Sequence, residues 1–334
     1  MLNKYKGCLL GAVLGDALGM PGETTVSRFI GVTLGFKRAY KGHPNHDLLP
    51  GQYTDDSQIM LAAARLLADA SWDPETYAKD LLRTHNLNKF RYPDGTIYAA
   101  CKRMQTTNDF IGSGVYSDSA GCISLAVPFA LAYKDRKEMA PKLLEACSIT
   151  HTHPGAHAAT IGLALMLNTL IETGSTDDAY QALITAAQNM NPDLAARISN
   201  AVRIEKTGMQ ITESLAAIGN SSSVYHTLPL AIFLCNRFKD PEELLACASS
   251  CGGNADTITL ICGAYLGAHR GIEALPQDLI AGLERRGEFE TLAEKLQNPK
   301  KPEPKKSEEK SEKKSEKKPA QEPESIYDSG WEPE

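Results

Sequence analysis

The chain has 334 residues, of which 42% are hydrophobic and 23% charged, with a formal net charge of −6. These are the proportions of a soluble globular protein with enough chain for a sizeable core, and length alone allows one large domain or two. The acidic balance argues against a broad phosphate-binding surface, and so against nucleic acid as a partner. Eight scattered cysteines without a C-x-x-C pair read as reduced core thiols, which sets the expected location as cytoplasmic. Lys4 and Lys6 precede an apolar run at residues 8–14, but Gly11, Gly15 and Asp16 interrupt it. The reading is no targeting segment, no membrane span and no membrane partner.

Residues 7–20 read as a helix in which Gly7, Gly11, Gly15 and Gly19 recur every fourth position. Glycine costs about 1 kcal/mol per helical position relative to alanine, so four on one face predict close helix-to-helix packing at the centre of the fold. Asp16 lies in this apolar helix, where an ionised acid needs partners. It reads first as a structural group capping a neighbouring helix and second as a catalytic one. Pro21 ends the helix. Glu23 follows at the pole where a negative charge is unfavourable, which points to a cation, a catalytic task or a plain loop carboxylate.

Residues 24–53 read as irregular, punctuated by Gly31, Gly35, Gly42, Pro44, Pro50 and Gly51. A connection this long in a compact domain is usually functional, and its place suits a lid. The stretch Thr54-Asp55-Asp56-Ser57 then opens an amphipathic helix whose apolar positions are Ile59, Ala62, Ala63, Leu66 and Leu67. Thr54 is the expected N-cap, which puts both acids in the first turn. Taken alone, they complement the helix dipole, worth a few tenths to about 1 kcal/mol.

Helical patterns follow near 57–71, 75–87, 121–135, 138–150, 155–173, 177–190, 193–207, 210–218, 223–238, 241–250, 256–272, 278–286 and 288–297. No convincing strand run and no fixed long repeat interrupts them, so the fold class is all-α: one globular multi-helix domain around the central Gly-rich helix. Residues 111–122 form a Gly- and Ser-rich loop whose free N–H groups could hold a phosphate. Residues 148–157 carry His151, His153 and His157. Zinc fits them poorly, since no matching Cys or Glu spacing exists and Pro154 breaks the run. A pocket-lining histidine or a surface helix junction are the open readings. Ser221-Ser222-Ser223 marks another helix start, with Pro229 kinking or offsetting that helix.

A second acidic helix start comes at Cys251-Gly252-Gly253-Asn254-Ala255-Asp256-Thr257. The glycines allow a tight turn, and Asn254, Asp256 and Thr257 offer three oxygen ligands in four positions. Two carboxylates about 4 Å apart repel by roughly 4 kcal/mol at an effective dielectric near 20. Asp55, Asp56, Asp256 and Glu23 brought together would therefore require protonation or a divalent cation such as magnesium or calcium.

These segments resemble the ADP-ribosylglycohydrolase family, which includes the dinitrogenase-reductase-activating glycohydrolases. The carriers are Gly15-Asp16-Ala17-Leu18-Gly19 with Glu23, Thr54-Asp55-Asp56-Ser57, Thr150-His151 with Pro154, and Gly252-Gly253-Asn254-Ala255-Asp256-Thr257, over about residues 5–276. The resemblance implies an all-α fold with a two-magnesium site. It implies that Thr54, Asp55 and Asp56 bind one Mg2+, that Asp256 bridges both, and that Thr257 and Asn254 belong to the second. It implies Glu23 as the mobile acid at the scissile bond; Asp55 or Glu23 is the candidate general base. His151 and the loop from Ser119 to Gly121 would line the ADP-ribose pocket. The chain departs from the family pattern at Asn254, where Asp is usual, and at Ala120-Gly121 and Ser124-Leu125 in the phosphate loop.

The function expected is Mg2+-dependent hydrolysis of the N- or O-glycosidic bond between ADP-ribose and a protein side chain or small acceptor. Two alternatives stand beside it. One is a glycohydrolase acting on a free nucleoside or nucleotide conjugate. The other is a non-catalytic binder of ADP-ribose or metal, motivated by Asn254. The domain is expected to span 1–297. Residues 298–334 turn abruptly to Lys, Glu, Ser and Pro, the composition of a disordered tail. Tyr327 and Trp331 near its end suggest a short docking motif for a partner.

Overall fold

A computed structural model of the protein describes residues 1–29 and 32–299. Ile30, Gly31 and the tail from Lys300 onward lie outside the described residues, and with them the expectations placed on residues 300–334. The described chain holds fifteen α-helices: α1 Leu2–Gly19, α2 Asp55–Ala68, α3 Pro74–Asn86, α4 Gly95–Thr107, α5 Ala126–Ala132, α6 Arg136–Ser148, α7 Pro154–Thr173, α8 Thr176–Met190, α9 Pro192–Lys206, α10 Ile211–Ile218, α11 Val224–Arg237, α12 Pro241–Ser249, α13 Ala255–Arg270, α14 Gln277–Ala281 and α15 Arg286–Gln297. Among the described residues there is no β-strand, only two isolated bridges, Val115 with His151 and Ser119 with Ser223. The all-α expectation holds.

Most helices start where a short polar side chain accepts the first free N–H groups. Asp73 takes Thr76 N–H, Asp135 takes Lys137 N–H, Ser175 takes Asp178 N–H, and Asp240 takes Glu243 N–H. The expected helix at 121–135 is shorter, because Ile123–Leu125 forms a single 3-10 turn before α5. That expected at 278–286 stops at Ala281, and Arg285 adopts a left-handed φ of 56° before α15 begins. Sequence reading missed α4 altogether. Its buried positions Ile97, Ala100, Cys101 and Met104 carry the i, i+3, i+4, i+7 pattern that would have revealed it. Helix α7 has the length and hydropathy of a membrane span, but 83% of that window is buried inside the protein. It is a core helix.

The centre of the fold is the antiparallel pair α1 and α13. Gly7 meets Gly267 and Gly271, Gly11 meets Gly263, Gly15 meets Thr259, and Gly19 meets Ala255. A Cβ added at Gly7 would stand 2.6 Å from the carbonyl carbon of Gly271, and one at Gly11 or Gly15 would run into a carbonyl oxygen of α13. The glycine stripe is thus a seam where two backbones touch.

The seam makes a prediction in which two effects of one methyl compete. Gly11→Ala gains about 1 kcal/mol of helix propensity but forces apart a packed interface, at a cost of typically 1–3 kcal/mol or more. Net destabilisation is expected, read as a lower urea midpoint. Gly287→Ala, where nothing lies within 4 Å of the added carbon, is expected to be neutral or stabilising by up to about 1 kcal/mol. Equal midpoints for the two variants would refute the seam as the structural centre.

Candidate active site

Because α1 and α13 run antiparallel, the C-terminal end of α1 lies beside the N-terminal end of α13. Past Gly19 the chain makes a 3-10 turn at Met20–Gly22 and delivers Glu23 next to the diglycine before α13. Thr24 N–H donates to the Gly253 carbonyl at 2.8 Å, and Gly253 N–H donates to the Thr25 carbonyl at 3.0 Å. Gly252 and Gly253 both have left-handed φ, 66° and 60°; an added Cβ would collide with the 25–27 backbone at Gly252 and with the Asn220 backbone at Gly253. This short ladder fixes Glu23 relative to Asp256.

Asp16 brings in the third element. It is fully buried, and its carboxylate accepts the N–H groups of Thr54 and Ser57 together with the Ser57 hydroxyl. The α1 carboxylate therefore fastens the N-terminus of α2, the structural role favoured from sequence. Thr54 is the N-cap as expected, its hydroxyl accepting Asp56 N–H at 3.3 Å.

The result is a cavity of about 330 Å³ into which Glu23, Asp55, Asp56, Asp94, Asn254 and Asp256 face. The N-termini of α2, α4 and α13 all end at its wall, and their dipoles favour negative charge there. Gly121 closes one side, its missing side chain making room for Asp94; an added Cβ would stand 2.8 Å from the Asp94 Cβ. Ser221 and Ser222 also line the cavity. They are held to the 118–120 segment by Ala120 N–H to the Ser222 carbonyl and by the Ser223 hydroxyl to Asp118.

Gathering these acids is electrostatically costly, and the ionisation equilibria show it. Burial, followed by repulsion from Asp256 and Asp55, pushes the Glu23 carboxyl up to about 10. Burial, with Asp16 as the largest neighbouring charge, pushes Asp256 up to about 7. Asp55 and Asp56 are both raised well above the ordinary carboxylate range, again by burial first, with Asp256 repelling each. Two hydrogen bonds work against the shift: Asp94 N–H donates to Asp55 Oδ2 at 3.0 Å, and the Thr257 hydroxyl donates to Asp56 Oδ2 at 2.7 Å.

The acids expected from sequence thus share one wall. Asp55, Asp56, Asp256, Thr257, Asn254, Glu23 and Gly121 all line the cavity. Thr54, Ser119 and His151 do not. Thr54 is wholly buried, its hydroxyl turned to the α2 cap. His151 is wholly buried too, its Nε2 2.8 Å from the Ser119 hydroxyl and its Nδ1 2.8 Å from the Thr150 hydroxyl. The Ser119 hydroxyl donates in turn to Asp94 Oδ1 at 3.0 Å. These two therefore stand behind the wall and brace Asp94, instead of lining the pocket. Of the described residues in the 24–53 connection, expected as a lid, only Thr24 lines the cavity.

Asp94 is the site residue that sequence reading missed. It caps α4 through Thr96 N–H, accepts the Ser119 hydroxyl, and gives its own N–H to Asp55. In the sequence Tyr92-Pro93-Asp94-Gly95 has the composition of a plain turn, which hid both the helix start and the carboxylate.

In chemistry the cavity offers hard oxygen donors: the carboxylates of Asp55, Asp56, Asp94, Asp256 and Glu23, an amide oxygen from Asn254 and the Thr257 hydroxyl, the ligand types a small divalent cation takes. Among the described residues, no three His, Cys, Asp or Glu groups already surround a single point closely enough to cage an ion. The donor set fits a cation held in part by hydroxyl and amide oxygens, by water and by substrate.

The ADP-ribosylglycohydrolase family model matches residues 1–305. An ADP-ribosylhydrolase ARH3 of Danio rerio is 25% identical over 337 residues, covering 89% of this chain and 90% of that protein. The ADP-ribosyl-[dinitrogen reductase] glycohydrolase of Rhodospirillum rubrum is 27% identical over 299 residues, covering 86% and 92%. A solved structure of an ADP-ribosylglycohydrolase-related protein complex superposes with a TM-score of 0.72 at 25% identity, covering 89% of this chain and 97% of that one. The acid-lined cavity at the meeting point of three helix ends therefore belongs to a glycosidic-bond hydrolase, and this chain is a member of the ADP-ribosylglycohydrolase family.

Proposed function

We propose that this hydrolase cleaves the glycosidic bond between the C1″ carbon of ADP-ribose and a side-chain nitrogen or oxygen of a modified protein, and that it needs Mg2+ to do so. The observation that carries the reading is the crowding of Glu23, Asp55, Asp56 and Asp256 round one cavity, at ionisation equilibria that only protons or cations relieve. The relatives' names, an ADP-ribosylhydrolase and a glycohydrolase of ADP-ribosyl-dinitrogen reductase, support a protein-borne ADP-ribosyl group as substrate.

Asp55, Asp56, Asp256, Thr257 and Asn254 would hold the cations; Thr54, turned into the α2 cap, could join only by sharing its remaining lone pair. When bound, divalent cations orient the ribose hydroxyls and make a water nucleophilic near neutral pH. The protein's own groups do the rest. Asp55, with Oδ2 tied by Asp94 N–H, keeps Oδ1 free to take a proton from the attacking water. Glu23 accepts no hydrogen bond on its carboxyl from the described residues, which leaves that group free to hand a proton to the leaving atom. Water adds its hydroxyl to C1″, the bond to the acceptor atom breaks through an oxocarbenium-like state, and the acceptor leaves protonated. The eight free thiols support a reducing, cytoplasmic setting.

Release of ADP-ribose from ADP-ribosylated proteins tests the proposal. Asp56→Ala and Asp256→Ala are expected to lower kcat by about 10³-fold, the scale of losing one preorganised electrostatic contact, and EDTA is expected to stop the wild type until Mg2+ is restored. Wild-type turnover in EDTA would remove the cation from the mechanism.

The raised carboxyl pKa values also predict a pH dependence for the cation-free protein. Ordinary values are near 3.9 for Asp and 4.3 for Glu, whereas Asp256 stands at about 7 and Glu23 at about 10. The folded state binds these protons more tightly than the unfolded one, so stability falls as pH rises. The loss begins near pH 4, is complete for Asp256 above its folded pKa, and continues for Glu23 toward alkaline pH. In EDTA the Tm should drop by some degrees between pH 5 and pH 9. Added Mg2+ should raise Tm more at pH 8 than at pH 5. A Tm that climbs over this range in EDTA contradicts the electrostatic account.

A further inference from the structure

The 23–54 connection buries a side chain that the chemistry above leaves unused. His43 is only 1% exposed, although it sits in irregular backbone. Its Nδ1 accepts the N–H of Asn45 at 3.0 Å. That hydrogen bond occupies the Nδ1 lone pair, so the ring proton is on Nε2. Nε2 lies 3.0 Å from the backbone carbonyl oxygen of Glu23, a group that can only accept. The tautomer is set on one side of the ring and spent on the other.

The turn carrying His43 is itself closed. His43 N–H donates to the Tyr40 carbonyl, and both the N–H and Nδ1 of His46 lie 3.0 Å from the His43 carbonyl. The Tyr40 ring packs edge-on against the imidazole at 5.5 Å. On the far side, Glu23 is followed by Thr24 in a left-handed conformation, φ 59°, which a β-branched residue adopts only when neighbouring structure holds it. Thr24 is held by Gly253. Among the described residues, His43 is the only side chain hydrogen-bonded to any atom of Glu23.

We infer that His43 is a positioning residue for the glycohydrolase reaction: its Nε2–H holds the Glu23 carbonyl, and with the Thr24–Gly253 bond it fixes where the Glu23 carboxyl stands in the cavity. The inference rests on Glu23 acting at the scissile bond. A carboxyl displaced by about 1 Å can cost two orders of magnitude in rate while leaving substrate binding intact.

The test uses the full chain and five variants: His43→Phe, His43→Asn, His43→Gln, Glu23→Gln and the double variant H43F/E23Q. The readouts are kcat and KM for ADP-ribose release, the Kd of free ADP-ribose, and the thermal midpoint. Phe keeps the ring bulk without a donor. Asn keeps a polar group too short to reach the Glu23 carbonyl, and stands in for Phe if that variant does not fold. Gln can place an N–H near the Nε2 position. H43F or H43N is expected to lower kcat roughly 10- to 100-fold with ADP-ribose affinity within a few-fold of wild type, and H43Q to recover most of the loss. In the E23Q background, H43F is expected to cost nothing further, because the group it positions is gone. Wild-type turnover by E23Q would overturn the role of Glu23 itself. An inactive E23Q beside a fully active H43F would overturn only the role of His43. A loss in H43F that H43Q does not recover, or that adds in full to E23Q, would make His43 merely structural.

Discussion

Everything in the site depends on two helix backbones being allowed to touch. Along α1 the side chains at the crossing are hydrogen atoms, as they are at Gly263 and Gly267 of α13, so the carbonyl oxygens of α13 sit where the Cβ atoms of α1 would be. The gain is dispersion between close-packed backbones and a fixed register. The register has a chemical consequence. Because the helices are antiparallel, the end of α1 and the start of α13 coincide, and the residues just outside the seam, Glu23 and Asp256, become neighbours without any direct bond between them. Asp16, one turn inside the seam, reaches sideways and captures the start of α2. One crossing thereby orients three chain segments.

The same geometry explains how so many acids can share a wall. A buried carboxylate without partners is strongly disfavoured, yet Asp55, Asp56, Asp94 and Asp256 each sit in, or directly before, the first turn of a helix. There they face the positive pole of the dipole and free N–H groups, as in Thr257 N–H to Asp256 at 2.8 Å and Thr96 N–H to Asp94 at 2.7 Å. These contacts offset only part of the repulsion, as the raised pKa values record. Glu23 has no helix N-terminus of its own. It comes after the C-terminal end of α1, and burial, followed by repulsion from Asp256 and Asp55, raises its carboxyl to about 10.

Legibility in the sequence depended on whether a feature is local. Thr54-Asp55-Asp56-Ser57 and Asn254-Ala255-Asp256-Thr257 announce themselves because an N-cap and its first turn are local. The glycine stripe is local too, with a period that only close packing explains. Asp16 was readable because an acid in an apolar helix must be satisfied somewhere. What sequence could not supply is which side of a wall a residue faces. His151 and Ser119 belong to the right neighbourhood, but their side chains point at Asp94 from behind, a matter of loop packing between residues 32 apart. Asp94 failed for the opposite reason: Pro93 and Gly95 make its surroundings look like an ordinary turn, and the apolar stripe of α4 begins only at Ile97.

Asn254 is the position where this chain parts from the pattern it resembles, and the surrounding hydrogen bonds account for it. The Thr227 hydroxyl donates its proton to the Ser221 carbonyl at 2.9 Å, so toward residue 254 it can only accept. Asn254 Nδ2 supplies the matching donor at 3.0 Å. An aspartate in the same place would set a carboxylate oxygen against the Thr227 lone pair, leaving two acceptors face to face in a half-buried site, at a cost on the order of 1–3 kcal/mol. The amide orientation thus fixed leaves Oδ1 without a partner among the described residues, on a side chain that lines the cavity. The substitution therefore exchanges a charged oxygen for a neutral one, and Ser221, whose carbonyl anchors the chain of hydrogen bonds, itself lines the cavity. In this chain the side chain at 254 links the N-terminus of α13, through Thr227, to the Ser221 carbonyl, so that one amide ties together two segments that line the cavity.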